Sequence, residues 1–532
     1  MTVPMPAHDA MKTGRASANS TRGSILVLVL VAIAIMTLTT SSYLLLMRNE
    51  HLAARYSGSH LQAQMLAESG VDYLQVFLGQ TTAAIDLQGG LLNNAGQLQD
   101  VLIVDDALPN YRGRFTVLAP DIVQGYYQGL RYGLQNESAK LNLNSLLISD
   151  SSSTTVEQTF TPRDRLMVIP GMTEEIADAI LDWMDENDSA RSSGAEADYY
   201  LSLTNAYRPA NRPLAHLDEL LMVRGVTRDL LYGADVNRNF QVDSDEQLSP
   251  SVARLDNTEG QLDRGWSAYL TVLSSELGVT PEGEPKLNVN EDDLQALHGQ
   301  LLEALGAAEA NFIVAFRQFG PAESGTTGAS ASAEALQLDF EQPGETNIGS
   351  LLDLVDAKVT TTDKNGGQPK TIDSPWTSDG GTFRLGFAEL LDVATSDTSE
   401  RIAGRININL ASRPVLLTIP GMTEVIADQI LTSREPDVDR VGGEQRHPTW
   451  LVADELVSLE EFKPMYPFLT TGGDVYTCQV AGFFDAGTTH ARLHVALDRS
   501  GERTKLLERK DLNALGPGFS RAQLSTVLQP ED

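Results

Sequence analysis

Between Arg22-Gly23 and Arg48 the chain has no charged side chain. As a helix rising about 1.5 Å per residue, residues 24–47 are long enough to cross a bilayer core of roughly 30 Å. Lys12, Arg15 and Arg22 precede the run, opposed only by Asp9. The excess of positive charge on that side predicts a single-pass protein of the inner (cytoplasmic) membrane. Residues 1–23 would lie in the cytoplasm, and the bulk of the chain would be periplasmic or otherwise extracytoplasmic.

Three readings fit this segment. A cleaved secretory signal has a shorter apolar region, of roughly 7–15 residues, and a small-x-small site after it. Here Ser41-Ser42-Tyr43 is followed by Leu44-Leu45-Leu46-Met47, which does not end the run cleanly. A plain membrane anchor fits. So does a prepilin-type leader cut on the cytoplasmic side, between Gly23 and Ser24. Residues 48–78 contain no proline and place Leu52, Tyr56, Leu61, Met65, Leu66, Tyr73, Leu74 and Phe77 at roughly helical spacing. One helix over 24–78 would be roughly 80 Å long. A helix half in lipid and half on a soluble head resembles a type IV pilin or pseudopilin.

The chain has 532 residues, of which 42% are hydrophobic. That length suits about two to four domains outside the membrane. The net charge of −33 opposes binding to nucleic acid or anionic lipid and favours divalent cations. The single cysteine, Cys478, excludes an intrachain disulfide and sits in an apolar run, as a buried small hydrophobe would.

The chain also repeats itself. Lys140-Leu-Asn-Leu-Asn144 is followed by Leu166-Met-Val-Ile-Pro-Gly-Met-Thr-Glu-Glu-Ile-Ala-Asp-Ala-Ile-Leu181, and Arg405-Ile-Asn-Ile-Asn409 by Leu416-Leu-Thr-Ile-Pro-Gly-Met-Thr-Glu-Val-Ile-Ala-Asp-Gln-Ile-Leu431. A weaker third copy starts at Lys286-Leu-Asn-Val-Asn290 and runs into a helical pattern over 301–317. Each unit reads as a short extended segment ending in a capping Asn, then a helix-hairpin-helix. The turns are Pro170-Gly171 and Pro420-Gly421, and Thr173 and Thr423 cap the second helices. Such hairpins often offer backbone N–H groups to phosphate. Glu174, Glu175, Asp178, Glu424 and Asp428 stand at these turns, with few Lys or Arg expected nearby. The expectation is therefore packing modules without a nucleic-acid partner.

After the first hairpin come Asp182-Trp183-Met184-Asp185-Glu186-Asn187-Asp188, Gly194-Ala195-Glu196-Ala197-Asp198-Tyr199-Tyr200, Tyr207-Arg208-Pro209-Ala210-Asn211 and Leu217-Asp218-Glu219-Leu220. With Asn136-Glu137-Ser138-Ala139-Lys140-Leu141-Asn142 and the leader, this string resembles the general secretion pathway protein K family, the large minor pseudopilin of type II secretion systems. The resemblance implies a non-enzymatic subunit that caps or initiates a pseudopilus tip. Its partners would be other minor pseudopilins, the major pseudopilin and a prepilin peptidase. Most pilin-like subunits carry Glu at the fifth mature position; counted from Ser24, that position is Leu28, and the K family characteristically lacks the acid. Ser24 itself departs mildly from the usual aromatic first residue, which bears on N-methylation.

The implied fold class is α+β: a long N-terminal pilin-like transmembrane helix on a small antiparallel sheet, with a large, mainly helical insertion holding helix-hairpin-helix (SAM-like) repeats. Strand-like runs at 114–118, 130–134, 475–484, 491–498 and 504–509 suggest a sheet built from both ends of the chain. The expected organisation is a leader (1–23), the long helix (24–79) and the first part of the pseudopilin domain (80–139). A helical insertion with the first hairpin (140–255), a further repeat-like insertion (256–399), the second hairpin (400–470) and the closing strands (471–532) come after. The material at 256–470 exceeds what the family implies. Within it, 321–335 and 360–381 are Gly-, Ser-, Thr- or Asp-rich and read as flexible.

Two acidic segments are candidate calcium sites. Asp235, Asn237, Asn239, Gln241, Asp243 and Glu246 match EF-hand spacing, with Phe240 where Gly usually makes the sharp turn. The second set is Asp182, Asp185, Asp188, Glu196 and Asp198, where the resemblance implies calcium in the helical domain. The scattered histidines and lone cysteine argue against transition metals. No Gly-x-Ser-x-Gly elbow, phosphate loop, His-Glu-x-x-His or dinucleotide fingerprint is present, so no enzyme is expected. The competing readings are a membrane-anchored helix-hairpin-helix DNA receptor of competence type and an anchored hydrolase.

Overall fold

A computed structural model describes residues 21–123, 125–151, 160–247, 263–322, 329–361, 369–435 and 443–526. The expected leader, apart from its last residues, lies outside this set, as do 323–328 and 362–368 of the two stretches read as flexible. Helix α1 (Thr21–Leu78) is continuous. The chain divides into two compact units, Met1–Gln62 and Ala63–Asp532.

In the first unit the apolar side chains from Ile25 to Met47 are exposed, Leu28 by 69%. Among the described residues one helix is long and apolar enough to cross a membrane, and it is this one. Gly23 and Ser24 lie on its first turns.

In the second unit the C-terminal part of α1 packs on a sheet of strands from both ends of the chain. β1 (Val101–Val104), β2 (Gly113–Val123) and β3 (Tyr126–Arg131) precede the helical region; β4 (Val475–Phe484), β5 (His490–Asp498) and β6 (Lys505–Asp511) come after it. The order is β1-β2-β4-β5-β6, with β3 added to β2 and the short strand Gln135–Asn136 added to β4. The contiguous strand pairs are antiparallel, so the sheet mixes no crossover helices into its ladder.

Strand β4 is buried along its whole length because both its faces are covered. Tyr476, Cys478 and Val480 meet Ala67, Val71, Leu74 and Phe77 of α1, while Ala481 and Phe483 meet Phe519 and Leu524. Burying each large apolar side chain stabilises by about 1.5–3 kcal/mol. Gly482 sets the spacing: a Cβ there would stand 2.2 Å from the Ala63 carbonyl oxygen and 2.4 Å from the Ala67 nitrogen, so only glycine lets helix and strand approach this closely. Cys478 is buried here, and burial pushes its thiol far above the usual range.

Between β3 and β4 the chain builds three modules on one plan. Each opens with a two-residue strand and closes with a parallel partner: Leu141–Asn142 with Leu270–Thr271, Leu287–Asn288 with Ala394–Thr395, and Ile406–Asn407 with Leu469–Thr470. The Asn-x-Asn repeat has a mechanical cause. The first Asn (142, 288, 407) accepts the backbone N–H of the second with its Oδ1. The second then pins a distant loop: Asn144 bonds both ways with the backbone of Leu214, Asn290 with that of Ile348, and Asn409 donates to the Gln445 carbonyl. The weak middle copy is thus a full module.

Each module contains a helical hairpin: α2 (Pro162–Met167) with α3 (Glu174–Met184), α4 (Leu294–Ala304) with α5 (Ala307–Phe319), and α6 (Arg413–Leu416) with α7 (Glu424–Ser433). Gly171, Gly306 and Gly421 take the positive φ that the turns require. The described ends of the stretches read as flexible are ordered, Ala329–Ala331 and Lys370–Asp373 joining Lys358–Thr361 in a small sheet. One contiguous hydrophobic core runs through all three modules, from Leu141 to Leu469.

Candidate functional site

The loop 235–246 closes on itself. Asp235 is buried; its two carboxylate oxygens accept the N–H groups of Asn239 at 2.9 Å and Phe240 at 2.8 Å. Glu246 accepts from Asn237 N at 2.9 Å and Asp243 N at 3.0 Å. The side-chain amides of Asn237 and Asn239 both donate to one oxygen of Asp243, each at 2.9 Å. Gln241 donates its N–H to the Asn239 carbonyl side chain and accepts from Gln523. Phe240 adopts φ 70°, the left-handed turn that Gly usually makes at this position, at a cost of about 1–2 kcal/mol. The Arg264 guanidinium lies 4.8 Å over its ring.

Burial pushes Asp235 up to about 7 despite the opposing pull of Arg264, and the buried Asn237 Oδ1 has no hydrogen-bond partner. A hard cation would satisfy both. The loop also grips the sheet: Arg492 of β5 donates to the Asn237 carbonyl, Gln479 of β4 to that of Arg238, and Asn239 Nδ2 to Gly518 O at 2.6 Å.

The second acidic segment surrounds a guanidinium. Arg191 Nη1 stands 2.8 Å from Asp182 and 2.5 Å from Asp185, and its backbone N–H also points at the buried Asp182 carboxylate. Asp188 accepts from Asn211 at 3.1 Å. Glu196 is 5% exposed, and neither of its oxygens has a hydrogen bond of normal geometry, the Ala197 N–H giving only a weak contribution. Burial first, then the charges of Asp182, Asp185 and Asp188, push it up to about 7. Asp198 stands exposed at the start of the helix Ala197–Leu201. Asp182, Asp185, Asp188 and Glu196 therefore share one field, and Glu196 is the carboxylate with nothing to neutralise it. Among the described residues, no three His, Cys, Asp or Glu side chains are gathered closely enough to hold a metal ion.

The hairpin turns are less bare than the sequence suggested. Arg163 grips Asp178 at 2.6 Å and Glu174 at 3.0 Å; Arg413 does the same to Asp428 at 2.7 Å and Glu424 at 3.3 Å. Each arginine sits ten residues or more before its carboxylates, on the first helix of the hairpin, so only folding brings them together.

Sequence reasoning missed the joint beneath the calcium-type loop. Glu137 accepts from Lys140 at 2.8 Å, from Thr477 of β4 at 2.7 Å, and from Thr271 of the first module's closing strand. Burial would raise this carboxyl, but Lys140 and the two hydroxyls hold it below the usual range. The third module repeats the joint, with Glu276 accepting from Arg405 and Thr470. A cavity of about 110 Å³ beside the first joint is lined by Lys140, Asp235, Arg264, His494 and Lys510 among others. The signal for this joint was the Asn136–Asn142 string, whose role becomes legible only when Thr271 and Thr477 arrive.

A family model described as type II secretion system (T2SS), protein K matches residues 139–233. Type II secretion system protein K of Pectobacterium carotovorum subsp. carotovorum is 39% identical over 57 residues, 11% of this chain and 17% of that protein's length. A structural match is the GspK-GspI-GspJ complex of the enterotoxigenic Escherichia coli type 2 secretion system, at 11% identity and a TM-score of 0.36, covering 87% of this chain and 98% of that one.

Proposed function

We propose that this chain, a member of the type II secretion system protein K family through its residues 139–233, works as a minor pseudopilin that caps or initiates a pseudopilus tip. The observation that carries the reading is architectural. The segment matched to the family is the first of the modules inserted between β3 and β4 of a sheet packed on the C-terminal part of a long, N-terminally apolar helix. That helix suits a single-pass protein of the inner membrane. Its N-terminus faces the cytoplasm, a prepilin peptidase cuts between Gly23 and Ser24, and Leu28 then takes the fifth mature position. An acid there would suit a subunit in the middle of a fibre, and its absence supports a place at the tip.

The partners are other minor pseudopilins, together with the major pseudopilin. Calcium binding would require the carboxylates to draw closer than they stand: at Glu196 with Asp182, Asp185 and Asp188 by displacing Arg191 from between the aspartates, or in the loop 235–246. The orphaned oxygens of Glu196 and Asn237 support such binding. The ion would supply the positive charge that the buried carboxylates lack, locking the first module onto the sheet. The role is structural, with no catalytic step.

Mass spectrometry of the full chain co-expressed with a prepilin peptidase tests the reading. A mature N-terminus at Ser24 is expected. An intact residue 1, or a cut beyond Met47, would overturn the pseudopilin assignment.

A further inference from the structure

The three modules close with one kind of joint, and the middle joint lacks a part. The residue before each opening strand is basic: Lys140, Lys286 and Arg405. Each closing strand ends in a threonine, Thr271, Thr395 or Thr470. Its hydroxyl accepts the N–H of the residue two places on, Leu273, Asp397 or Gly472. The basic residues and the threonines therefore occupy equivalent places. In the outer modules a glutamate joins the two: Glu137 accepts from Lys140 and Thr271, and Glu276 accepts from Arg405 at 3.1 Å and Thr470 at 2.5 Å. In the middle module no carboxylate joins them. Thr395 turns its hydroxyl to the Asp397 carbonyl at 3.2 Å. Lys286 donates to the Leu391 carbonyl at 2.6 Å, its one hydrogen bond among the described residues.

The acids near Lys286 are committed elsewhere. Glu276 serves Arg405 and Thr470, Asp392 is held by Arg446 at 3.1 Å and His447 at 2.6 Å, and Asp397 reaches Arg405 at 4.0 Å. Burial pushes the Lys286 amine below its usual range, and the charges of Glu276 and Asp392 oppose this only in part. A half-buried cation without an adjacent acid is costly. Lys286 and Thr395 both line a cavity of about 220 Å³. Its wall carries Lys286, Arg405 and Arg446 against Glu276 and Asp397, an excess of positive charge in a chain whose net charge is −33. The Tyr466 hydroxyl belongs to the same wall and bonds nothing among the described residues.

We propose that this cavity binds a small organic carboxylate, whose acid group takes the part that Glu137 and Glu276 play in the outer modules. Lys286 supplies the charge, the Tyr466 hydroxyl a second donor, and Arg405 strengthens the positive field. A carboxylate is the fitting anion because the two sister joints are each built around one, between a cation and a threonine hydroxyl. The volume leaves room beyond that group for a short carbon chain. The inference does not depend on the pseudopilin reading, since it uses only the repeated joint and its missing acid.

The test uses the full chain in lipid nanodiscs and titration calorimetry at fixed ionic strength, with succinate, its neutral analogue succinamide, and inorganic phosphate. Succinate should bind with a Kd of about 1 mM or lower, and the other two at least about tenfold more weakly. Lys286→Met should weaken succinate binding about tenfold or more. Tyr466→Phe, which keeps the ring packed on Phe462, should weaken it about threefold or more. If Lys286→Met melts lower without ligand, Tyr466→Phe decides the matter alone. The proposal is overturned by absent succinate binding, by succinamide binding equally well, or by an affinity that Lys286→Met leaves unchanged in a folded protein. Phosphate binding as tightly as succinate would make the cavity a general anion site and also overturns it.

Discussion

Hairpins α2–α3 and α6–α7 carry almost one sequence, yet their matching aspartates live in different surroundings. Asp178 is fully buried, held by both arms of Arg163 and by the Ser193 N–H at 3.0 Å. Asp428 has the equivalent arginine, Arg413, as its partner but is more than half exposed. The cause lies downstream. α3 continues into the acidic loop that folds back over it, so nearly the whole helix after Glu175 is buried; α7 ends at Ser433 and buries only Ile426, Ala427 and Ile430. A repeated hairpin thus specifies a packing unit, and the segment C-terminal to it decides whether its polar groups become structural.

The largest expected break in this comparison is Asp178→Ala. It leaves Arg163 without its main partner and Ser193 N unpaired, and should cost about 3 kcal/mol in urea unfolding. Asp428→Ala should move the midpoint far less, because water replaces the lost contact. Similar losses at both positions would refute the role given to the acidic loop.

Calcium should sharpen the same contrast. Chelation should lower the melting temperature, and calcium at about a hundred times its dissociation constant should restore about 2.7 kcal/mol. Glu196→Gln should raise stability in chelator and shrink the calcium response. Substitutions near α7 should leave that response alone.

A smaller, pH-dependent effect belongs to the first module's seat on the sheet. His494 faces the cavity, and burial, with Lys510, pushes its pKa down to about 4. The folded state then refuses a proton that the unfolded chain takes up below about 6.5. Stability should therefore fall as pH drops from about 6.5 to 4, by about 1–3 kcal/mol from this group. His494→Gln should flatten that limb in unfolding curves measured across the window; an unchanged slope would exclude His494 as its source. The smallest expected effects are equal ones. Thr173→Ala and Thr423→Ala remove the same cap, each bonding an Ile N–H, and each should cost about 1 kcal/mol.

Much of this was readable in the chain. The charge-free run, the Pro-Gly turns with their capping threonines, and the alternation in the C-terminal strands are local signals, and all lie where the pattern placed them. The closing strands of the modules were not readable, because Leu270–Thr271, Ala394–Thr395 and Leu469–Thr470 are too short to show a period. β1 escaped notice for a related reason: four apolar residues between aspartates fit a loop as well as a strand. At the candidate site the spacing of Asp235 to Glu246 is a local pattern, and Phe240 takes the positive φ that glycine usually supplies there. Arg191 standing between Asp182 and Asp185 was not legible, since an arginine's partner is set by where the loop turns.

The sequence by itself determined the long helix, the α+β class and the repeated hairpin, because periodicity, caps and glycine turns act within a few residues of themselves. Only the tertiary structure decided that three modules share one core. It also decided that Glu137, Lys140, Thr271 and Thr477 meet in one buried joint, and that Glu196 is left with unsatisfied oxygens. Those outcomes depend on desolvation and on partners far apart in the chain, and neither is encoded at the residue that feels it.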